Sequence, residues 1–519
     1  MLLHDFLDYL GRANADRPCI ECGDRRIDYG EALGHADRLA RALASQGLAA
    51  GDRFAVLAKN CLEYPLFYFA GSKSGAVPVP LNYRLAPPEL AYIVRDANAR
   101  LVIARGELVE ALDGVRDELG DVKTWVSLDG PRPEGWIDYA EWLRGQPEGP
   151  PDHRGDDHDD LYQMYTSGTT GRPKGAVLTH AAVAANLIQQ LAPLSSHPDD
   201  HSLVVAPIYH AAAALAAIGS MVSGGSMVVH EDFSPADVVH ALSEGGVTRT
   251  MLVPAMIQAC LVLVPDAADR DYENLRMIVY GASPIAADVL RNALDVFRCD
   301  FAQGYGMTET TATLTVLSPA DHRRALAGRP ELLLSAGRPL PGTEIRIVDG
   351  DDRPVAAGSV GEIVGRGDQL MRGYWNQPEA SAEALRGGWM HTGDAGILDE
   401  DGYLFIQDRV KDMVVSGGEN VYPREVENAL FEHPAVVDVA VIGIPDEKWG
   451  ESVKAIVVVR QGAAASADDL VEFCRGRLAG FKCPRSVDFV AELPRNASGK
   501  LLKKELREKY WRGRDRRVS

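Results

Sequence analysis

The sequence predicts an α/β protein with more than one domain. Apolar strand-like runs alternate with amphipathic helical stretches, as in "RFAVLA", then "LEYPLFYFAGSKSG", then "VPVPL". This order is typical of open sheets that bind ligands at the carboxyl ends of their strands. The chain has 519 residues, whereas single hydrophobic cores stop growing at roughly 250 to 300 residues. We therefore expect at least two domains.

The predicted elements follow one another in a consistent order. A first α/β alternation runs from "RFAVLA" at residue 53 to "RLVIA" at residue 100, and a second runs from "VTRTMLVP" at residue 247 to "CDFAQGYG" at residue 299. From about Gly337, short strands separated by Gly and Pro turns predict a small β-rich unit. After Asp408 the pattern indicates a compact α+β segment.

One segment, 203–229, contains no Asp, Glu, Lys or Arg and could be mistaken for a membrane span. It is rich in alanine rather than leucine and includes Pro207, His210 and several glycines and serines. A bilayer helix needs about 20 strongly apolar residues. We therefore expect a buried strand, helix and strand here.

Composition and charge exclude some classes of function. The formal net charge of −20 would repel a nucleic-acid backbone, so no nucleic-acid partner is expected. Seven scattered cysteines and a start that lacks a basic n-region favour a reducing cytoplasm. The basic end "KYWRGRDRRVS" indicates a solvated tail or, as the alternative, a weak peripheral contact with an anionic membrane.

The stretch "YTSGTTGRPKG", residues 165–175, combines glycines, hydroxyls and one lysine. It differs from a Walker loop, because that motif requires G-x-x-x-x-G-K-[ST] and here Pro173 directly precedes Lys174. Glycines let backbone N–H groups approach phosphate oxygens, hydroxyls add donors and the lysine adds positive charge. The stretch predicts a phosphate-binding loop made of Thr166, Ser167, Gly168, Thr169, Thr170, Gly171 and Lys174.

This loop resembles the phosphate-binding signature of the adenylate-forming superfamily, which joins acyl-CoA synthetases, peptide-synthetase adenylation domains and firefly-type luciferases. Further matches follow in the family's order: "PIYH" at 207, "YGAS" at 280, "QGYGMTE" at 303, "GYWN" at 373, "HTGD" at 391, "DRVKDMVVSGGENVYPREVE" at 408 and "PRNASGK" at 494. The resemblance implies a large N-terminal domain, residues 1–410, of two doubly wound αβ subdomains plus a distorted β-barrel at about 337–408. It also implies a small mobile α+β domain at 411–519.

The resemblance implies roles in ATP use for individual residues. Tyr305 would pack on adenine, Thr308 would bond a phosphate oxygen, and Glu309 would hold Mg²⁺, a hard cation that prefers carboxylate and phosphate oxygens. Asp394 and Arg409 would bind the ribose. Further nucleotide contacts are expected from Gly281, Ala282, Gln303 and Gly304.

The implied reaction has two steps. A carboxylate attacks the α-phosphate of Mg·ATP to give an acyl-AMP and pyrophosphate, and Lys500 would bridge the carboxylate and the phosphate. Coenzyme A is the expected second nucleophile, because "VVSGGENVYPREVE" resembles acyl-CoA ligases. Gly417 and Gly418 would line the pantetheine channel, Lys482 would contact CoA phosphates, and Lys411 would be the hinge of the small domain.

The acyl group is predicted from fewer residues. His210 resembles the family's gate beside the carboxylate, and Ala211 and Ala212 open an alanine run. With Gly281 and Gly306 they predict a roomy apolar pocket, although close helix packing would give the same run. No cationic residue is evident for a dicarboxylate head group. The chain most resembles bacterial medium- and long-chain fatty acid–CoA ligases, while aryl and sterol side-chain ligases share the same motifs.

Rival functions remain open at this point. A fatty acyl-AMP ligase that loads a carrier protein usually has an insertion near the domain junction, which "GEIVGRGDQLMRGYWN" lacks. A peptide-synthetase adenylation domain normally has an aspartate after "PIYH", where this chain has alanine. A luciferase-like monooxygenase would use the same adenylate. A catalytically dead scaffold is disfavoured because Lys174, Glu309, Asp394 and Lys500 are all present. The expected partners are small molecules and, as a further expectation, a second copy of the chain.

Overall fold

The computed structural model describes residues 1–166, 172–409, 412–416, 419–460, 462–463, 465–495 and 501–512, and only the backbone of Arg409 and Asn420. The chain begins with two helices around a hairpin. These elements are α1 (Leu3–Ala13), β1 (Pro18–Cys22), β2 (Arg25–Asp28) and α2 (Tyr29–Ser45). Asp28 caps α2, since its carboxylate accepts the backbone N–H of Glu31 at 2.7 Å.

The first predicted α/β alternation forms a five-stranded sheet. Its strands are β3 (Arg53–Leu57), β4 (Val77–Pro80), β5 (Ala99–Ala104), β6 (Thr124–Ser127) and β7 (Trp136–Asp138). They pair in the order β4-β3-β5-β6-β7, and every pair is parallel. The strands are connected by α3 (Tyr64–Ser74), α4 (Pro87–Asp96) and α5 (Leu108–Asp113), and α6 (Tyr139–Arg144) follows β7. The strand sequences are nearly continuous apolar runs because parallel sheets are covered on both faces.

The predicted phosphate-binding loop lies between two antiparallel strands. They are β8 (Asp160–Thr166) and β9 (Lys174–Thr179), and Thr166 and Lys174 are direct partners in the register. Helix α7 (His180–Leu194) follows β9. It is capped by Thr179, whose hydroxyl accepts the N–H of Ala182 at 3.2 Å. The two flanks of the loop therefore lie opposite each other in the strand register.

The second alternation forms a nine-stranded sheet in the order β16-β15-β14-β13-β12-β10-β11-β1-β2. The strands after β9 are β10 (His201–Val204), β11 (Ser226–Val229), β12 (Arg249–Leu252), β13 (Met277–Gly281), β14 (Asp300–Tyr305), β15 (Thr315–Leu317) and β16 (Arg338–Pro339). The helices are α8 (Ala211–Val222), α9 (Pro235–Ser243), α10 (Pro254–Leu263), α11 (Ala287–Phe297) and α12 (Pro319–Leu326). The sheet is parallel from β1 through β14 and antiparallel at its edges.

The charge-free segment 203–229 is divided among β10, α8 and β11, which confirms the predicted strand, helix and strand. Among the helices of the described part of the chain, none has the length and apolarity that a bilayer span requires. Alanines of α8 pack against the sheet, where small side chains allow close approach.

The β-rich unit predicted from about Gly337 is a four-stranded antiparallel sheet in the order β17-β18-β20-β21. Its strands are β17 (Glu344–Val348), β18 (Gly361–Arg366), β20 (Met390–Leu398) and β21 (Leu404–Arg409). Two further elements lie between them, β19 (Gly373–Tyr374) and α13 (Pro378–Ala384). Strand β19 pairs with β9 instead, so the chain returns from this unit to the phosphate loop.

The α+β segment predicted after Asp408 has its own sheet and core. The strands are β22 (Val414–Ser416), β23 (Glu419–Val421), β24 (Val436–Asp446), β25 (Gly450–Val459) and β26 (Ser486–Phe489), and the helices are α14 (Pro423–Phe431), α15 (Ala467–Arg475) and α16 (Lys503–Trp511). Buried valines of β24 and β25 pack on Leu430 and Leu470. The predicted boundary between residues 410 and 411 lies outside the described residues.

Gly337 provides a test of how closely the sheet edge is packed. Its φ is +82°, and a Cβ there would lie 2.1 Å from backbone atoms of Val316 and Leu317. Gly358 has almost the same φ, +81°, but has open space around it. Gly358→Ala should cost only the left-handed strain, about 1 kcal/mol, whereas Gly337→Ala should cost about 3 kcal/mol or more because backbone atoms must move. Urea unfolding of the two variants measures this, and equal midpoints would contradict it.

Candidate active site

One large cavity lies at the carboxyl ends of β10, β12, β13 and β14, where open α/β sheets bind ligands. Its volume is about 1610 Å³, which exceeds the roughly 300 to 1,000 Å³ of an ordinary small-molecule site. Met413 and Tyr422 from the C-terminal part also line it. The cavity is therefore large enough for more than one substrate and is bounded by both parts of the chain.

The phosphate-binding loop is anchored at both ends to helix α4. The Tyr165 hydroxyl donates to Asp96 Oδ2 at 2.6 Å, just before the loop, and the Tyr92 hydroxyl donates to the Pro173 carbonyl at 3.3 Å, next to Lys174 at the other end. Burial and the hydrogen bond to Asp96 raise the pKa of Tyr165, so it stays a donor. Thr166 and Lys174 line the cavity. The predicted residues Ser167, Gly168, Thr169, Thr170 and Gly171 lie outside the described residues.

Glu309 is the most buried acidic group of the cavity wall. It lies in the short helical turn Thr308–Thr310 after β14, and only 4% of it is exposed. Its Oε1 accepts the Tyr374 hydroxyl at 2.8 Å and the Thr166 hydroxyl at 3.3 Å. The Lys174 ammonium lies 4.9 Å from the Tyr374 ring centroid. The structure thus brings the predicted Lys174, Thr308 and Glu309 into one cluster.

Tyr374 is a site residue that the sequence did not assign, although its motif "GYWN" was recognised. Burial and the charge of Glu309 raise its pKa, so it remains a hydroxyl donor. Its partner lies 65 residues away in the chain, and no local pattern predicts that pairing. The only available signal was the position of the motif in a familiar order.

The predicted ribose residues lie next to each other. Asp394 in β20 and Arg409 in β21 are register partners, and the Tyr305 hydroxyl donates to Asp394 Oδ2 at 2.8 Å. The side chain of Arg409 lies outside the described residues. Gln303 is buried in β14 and does not line the cavity. Tyr305 and Asp394 are thus brought together beside the cavity, although neither is among its lining residues, and their adenine and ribose contacts stay a prediction.

The predicted acyl side of the cavity is formed by small residues around His210. Ala211, Ala212, Gly281 and Gly306 all line the cavity, together with Ala282 and Gly304. A Cβ on Gly281 would lie 2.3 Å from the Gly304 carbonyl oxygen, so the close approach of β13 and β14 requires glycine there. This close approach leaves no side chain at the Gly281 position of the cavity floor.

His210 precedes α8 and is neutral. Burial lowers its pKa to about 4, and the positive charge of Arg84 acts in the same direction. Its Nε2 is buried and has no hydrogen-bond partner among the described residues. A neutral imidazole with an unpaired nitrogen can form a hydrogen bond with a bound oxygen, and this adds no charge to the site.

Three arginines, Arg84, Arg249 and Arg386, line the cavity. The expectation that no cation would be available for a second acidic group is therefore wrong. Arg249 lies in "VTRTMLVP". This pattern indicates a strand but does not show which side chains of the strand face the cavity. The period-two alternation of β12 directs Arg249 to the same face as Met251, which also lines the cavity.

Some predicted residues are not brought to the cavity. Lys482 pairs with Glu425 at 2.7 Å in the C-terminal part and does not line the cavity. The hinge candidate Lys411, the channel candidates Gly417 and Gly418, and Lys500 lie outside the described residues.

A buried ion network joins the end of β21 to the C-terminal helices. Lys503 Nζ lies 3.1 Å from Asp408 Oδ2 and 2.9 Å from Glu427 Oε1, and the backbone N–H of Arg424 donates to Asp408 Oδ2 at 3.0 Å. Burial alone would lower the pKa of Lys503, but the two carboxylates outweigh it and raise the pKa, so the ammonium persists. This network fixes the orientation of the small unit in this structure.

Comparisons with known proteins agree with this arrangement. The AMP-binding enzyme family matches residues 8–375, and the AMP-binding enzyme C-terminal domain matches residues 425–500. The chain belongs to the AMP-binding enzyme family. It is 39% identical to a feruloyl-CoA synthase of Amycolatopsis sp, covering 96% of this chain and 97% of that one. It is 38% identical to the fatty acid–[acyl-carrier-protein] ligase ScoC of Streptomyces coeruleorubidus, covering 97% and 95%.

The structure resembles ATP-bound MatB from Rhodopseudomonas palustris with a TM-score of 0.89 and 32% identity, covering 98% of this chain and 99% of that one. The large N-terminal α/β part and the C-terminal part are those of this family. The protein is an AMP-forming acid–thiol ligase, an acyl- or aryl-CoA ligase of the adenylate-forming superfamily. Its family uses ATP, a carboxylate and CoA as substrates.

Tyr374→Phe tests whether the hydroxyl bonded to Glu309 matters to this AMP-binding enzyme. The change removes one hydrogen bond to a charged group, which is worth about 1.5 to 3 kcal/mol, while the ring beneath Lys174 stays. We expect kcat/KM for ATP to fall roughly tenfold or more, measured as pyrophosphate release. Tyr9→Phe, at an exposed tyrosine of α1, is the control. Equal activity of both variants would show that the hydrogen bond has no part in ATP use.

Lys503→Met tests the buried ion network. Removing the cation leaves Asp408 and Glu427 buried without their counter-ion, which should cost about 3 to 5 kcal/mol. The double variant with Glu427→Gln should recover part of the loss, because one buried charge disappears. Lys504→Met, at the exposed neighbour on α16, should change little. Urea unfolding followed by limited proteolysis of the C-terminal part measures this, and identical stability of the two single variants would argue against the network.

Proposed function

We propose that this ligase converts a medium- or long-chain fatty acid to its acyl-CoA through an acyl-AMP. The observation that carries the proposal is one cavity with two chemical ends. The polar end lies around Glu309, Lys174 and Thr166, and the apolar end lies beyond His210 along α8. A nucleotide suits the first end and an acyl chain suits the second, so the reacting carboxylate would lie between them.

In the first step a carboxylate oxygen attacks the α-phosphorus of ATP, and the P–O bond to pyrophosphate breaks with its electron pair. Negative charge gathers at the phosphates, so positioned donors and cations are the main requirement. Thr166 and Lys174, with the loop residues between them, would hold the β- and γ-phosphates. Thr308 would bond a phosphate oxygen, and Lys500 would approach the α-phosphate.

The residues present fit a Mg²⁺ ion at Glu309. Its carboxylate is buried in the cavity wall, and Oε2 accepts no hydrogen bond within the described part of the chain. Hard divalent cations take carboxylate and phosphate oxygens. When bound there with ATP, the ion would supply positive charge to the phosphates. Tyr374 and Thr166 orient the carboxylate through its other oxygen.

Nucleotide and acyl group would be positioned by neighbouring residues. Tyr305 would stack on adenine while its hydroxyl fixes Asp394 for the ribose hydroxyls, with Arg409 beside it. His210, being neutral, would give the substrate carboxylate a hydrogen bond rather than a charge. That preserves the nucleophilic character of the carboxylate oxygen, which a nearby imidazolium would weaken.

In the second step the CoA sulfur attacks the acyl carbonyl, and AMP leaves with the electron pair of the C–O bond. The proposed division places the N-terminal domain at 1–410 and the small domain at 411–519, with rotation at Lys411. Gly417 and Gly418 would then line the pantetheine channel. Lys482 would exchange its ion pair with Glu425 for a CoA phosphate.

Two alternatives have support from similar proteins. One relative is named a feruloyl-CoA synthase and another a fatty acid–[acyl-carrier-protein] ligase. An aryl acid would keep the mechanism and change the substrate, and a carrier protein would change only the acceptor. Peripheral membrane contact through the basic end and a homodimer stay predictions, and residues 513–519 lie outside the described residues.

The test measures pyrophosphate release with Mg·ATP over carboxylates from acetate through palmitate to benzoates and cinnamates, each with and without CoA. Turnover that depends on CoA and peaks on aliphatic chains of about eight carbons or more supports the proposal, because a long apolar pocket binds them best. A peak on aryl acids would overturn the fatty-acid assignment. Pyrophosphate release without a thioester would point to a carrier-protein acceptor.

Lys500→Ala separates the two half-reactions. We expect acyl-AMP formation to fall by about 100-fold or more, since a charge at the transition state is lost, while supplied acyl-AMP plus CoA still gives thioester. Lys504→Ala should leave both half-reactions intact. Equal loss of both half-reactions in Lys500→Ala would show that the domain rotation is misassigned.

A further inference from the structure

The acyl end of the cavity changes in polarity along the strands that form its floor. Gly281 on β13 lies at the nucleotide end, and Val253, Val279 and Met251 continue the wall away from it. Thr250 and Arg249 follow on β12, and Arg249 is the register partner of Met277 at the far end of β13. The wall therefore has no side chain at Gly281, is apolar in the middle and is cationic at Arg249.

The depth of this pocket follows from the register. Arg249 pairs with Met277, four positions before Gly281 on the same strand, so the two levels are about 13 Å apart at roughly 3.3 Å per residue. A C–C bond of about 1.5 Å advances an extended chain by roughly 1.3 Å. A chain of about ten carbons would thus reach from the glycine level to Arg249.

Helices α7 and α8 cover this floor, and they show the same change in polarity. On α8 the cavity is lined by Ala212, Ala216 and Gly219 and then by Ser223 after the helix end. Ser196 follows α7, and Ser202 is the register partner of Arg249 on β10. Both serines line the cavity. Hydroxyls therefore surround Arg249 at the far end.

Arg249 is held in place by hydrogen bonds, but some of its N–H donors have no partner within the described part of the chain. Its Nη1 donates to Ser196 Oγ at 3.0 Å and to Asp200 Oδ2 at 3.1 Å, and its Nη2 donates to the Leu194 carbonyl at 3.4 Å. A guanidinium has five N–H donors. Nε–H and one Nη2–H thus have no partner within the described part of the chain. The side chain is only 14% exposed.

The local charge favours an oxygen ligand. Asp200 is 3% exposed and pairs with both Arg249 and Arg276, so these three side chains carry a net positive charge. A hydrocarbon tail pressed against Arg249 would displace water and leave its donors unpaired, which is unfavourable. An oxygen at the end of the acyl chain would accept hydrogen bonds from these donors. Sites built for a hydrogen bond reject analogues that lack the partner.

Resting on the proposed acyl-CoA ligase function, we propose that Arg249 is a specificity-determining residue of this site. It recognises an acceptor oxygen at the distal end of the acid. The preferred substrates are carboxylic acids about ten carbons long that carry a terminal hydroxyl, carbonyl or second carboxylate. The first carboxylate reacts with ATP at the glycine end, while the distal oxygen accepts N–H groups of Arg249.

The experiment compares acyl-CoA formation from decanoate, 10-hydroxydecanoate and decanedioate by the full-length enzyme with Mg·ATP and CoA. We expect kcat/KM for the two oxygenated acids to exceed that for decanoate roughly tenfold or more. Arg249→Met should remove this preference, mainly by raising KM for the two oxygenated acids. Equal kcat/KM for all three acids in the wild-type enzyme would by itself overturn the inference.

Arg276→Met is the matched control. It removes the other arginine bonded to Asp200, but Arg276 does not line the cavity, so the preference for oxygenated acids should remain. If both variants lost that preference, it would depend on the ion pairs of Asp200 and not on recognition by Arg249. The inference would then fail.

Longer unsubstituted fatty acids separate this inference from the proposed function. Turnover of 10-hydroxydecanoate and decanedioate, with none of decanoate or palmitate, would support the inference and overturn the fatty-acid assignment. A clear preference for decanoate over its oxygenated analogues would keep the fatty-acid proposal and overturn the inference. Turnover of no acid at all would overturn both.

Discussion

The buried carboxylate of Glu309 is the constraint on which the active site depends. A carboxylate that is 4% exposed is unfavourable unless donors and cations surround it. Its donors come from separate elements, Thr166 at the end of β8 and Tyr374 in β19, while its own turn follows β14. The backbone carbonyl of Glu309 also accepts the N–H of Met371 at 2.8 Å. One acidic residue thereby connects the nine-stranded sheet to the three-stranded sheet that carries the phosphate loop.

That connection explains why Glu309 and Lys174 place opposite charges side by side at the nucleotide end of the cavity. Lys174 is placed beside Glu309 through the Tyr374 ring, whereas His210, on the way to the acyl end, is kept neutral by burial. Electrostatic forces act strongly where water is excluded. A polar nucleotide end and an uncharged middle therefore suit phosphoryl chemistry and an apolar chain at the same time. Arg249 departs from this pattern, because it places at the acyl end a cation with N–H donors that are unpaired among the described residues. We therefore infer that it binds an oxygen of the substrate.

Much of the fold could be predicted from the sequence, because period and length of apolar runs identify strands and helices locally. The alternation around "RFAVLA" and "VTRTMLVP" and the β-rich unit after Gly337 were predicted in this way. Pairings between distant segments could not be predicted, because they leave no local pattern. Strand β1 joins β11, Tyr374 meets Glu309, and Arg249 turns toward the cavity. In the site, motif order placed Thr166, Lys174, Thr308 and Glu309 together, but it could not show which neighbours orient them.

The ion network at Lys503 bears on how the small unit can move. Asp408 precedes the proposed hinge at Lys411, so it would stay with the large domain, whereas Glu427 and Lys503 both belong to the small one. Rotation would therefore break the 3.1 Å pair with Asp408 but keep the 2.9 Å pair with Glu427. A buried ammonium without any counter-ion would be strongly disfavoured. Since Lys503 would keep one carboxylate after the proposed rotation, the network would hold the small domain in this position without preventing its release.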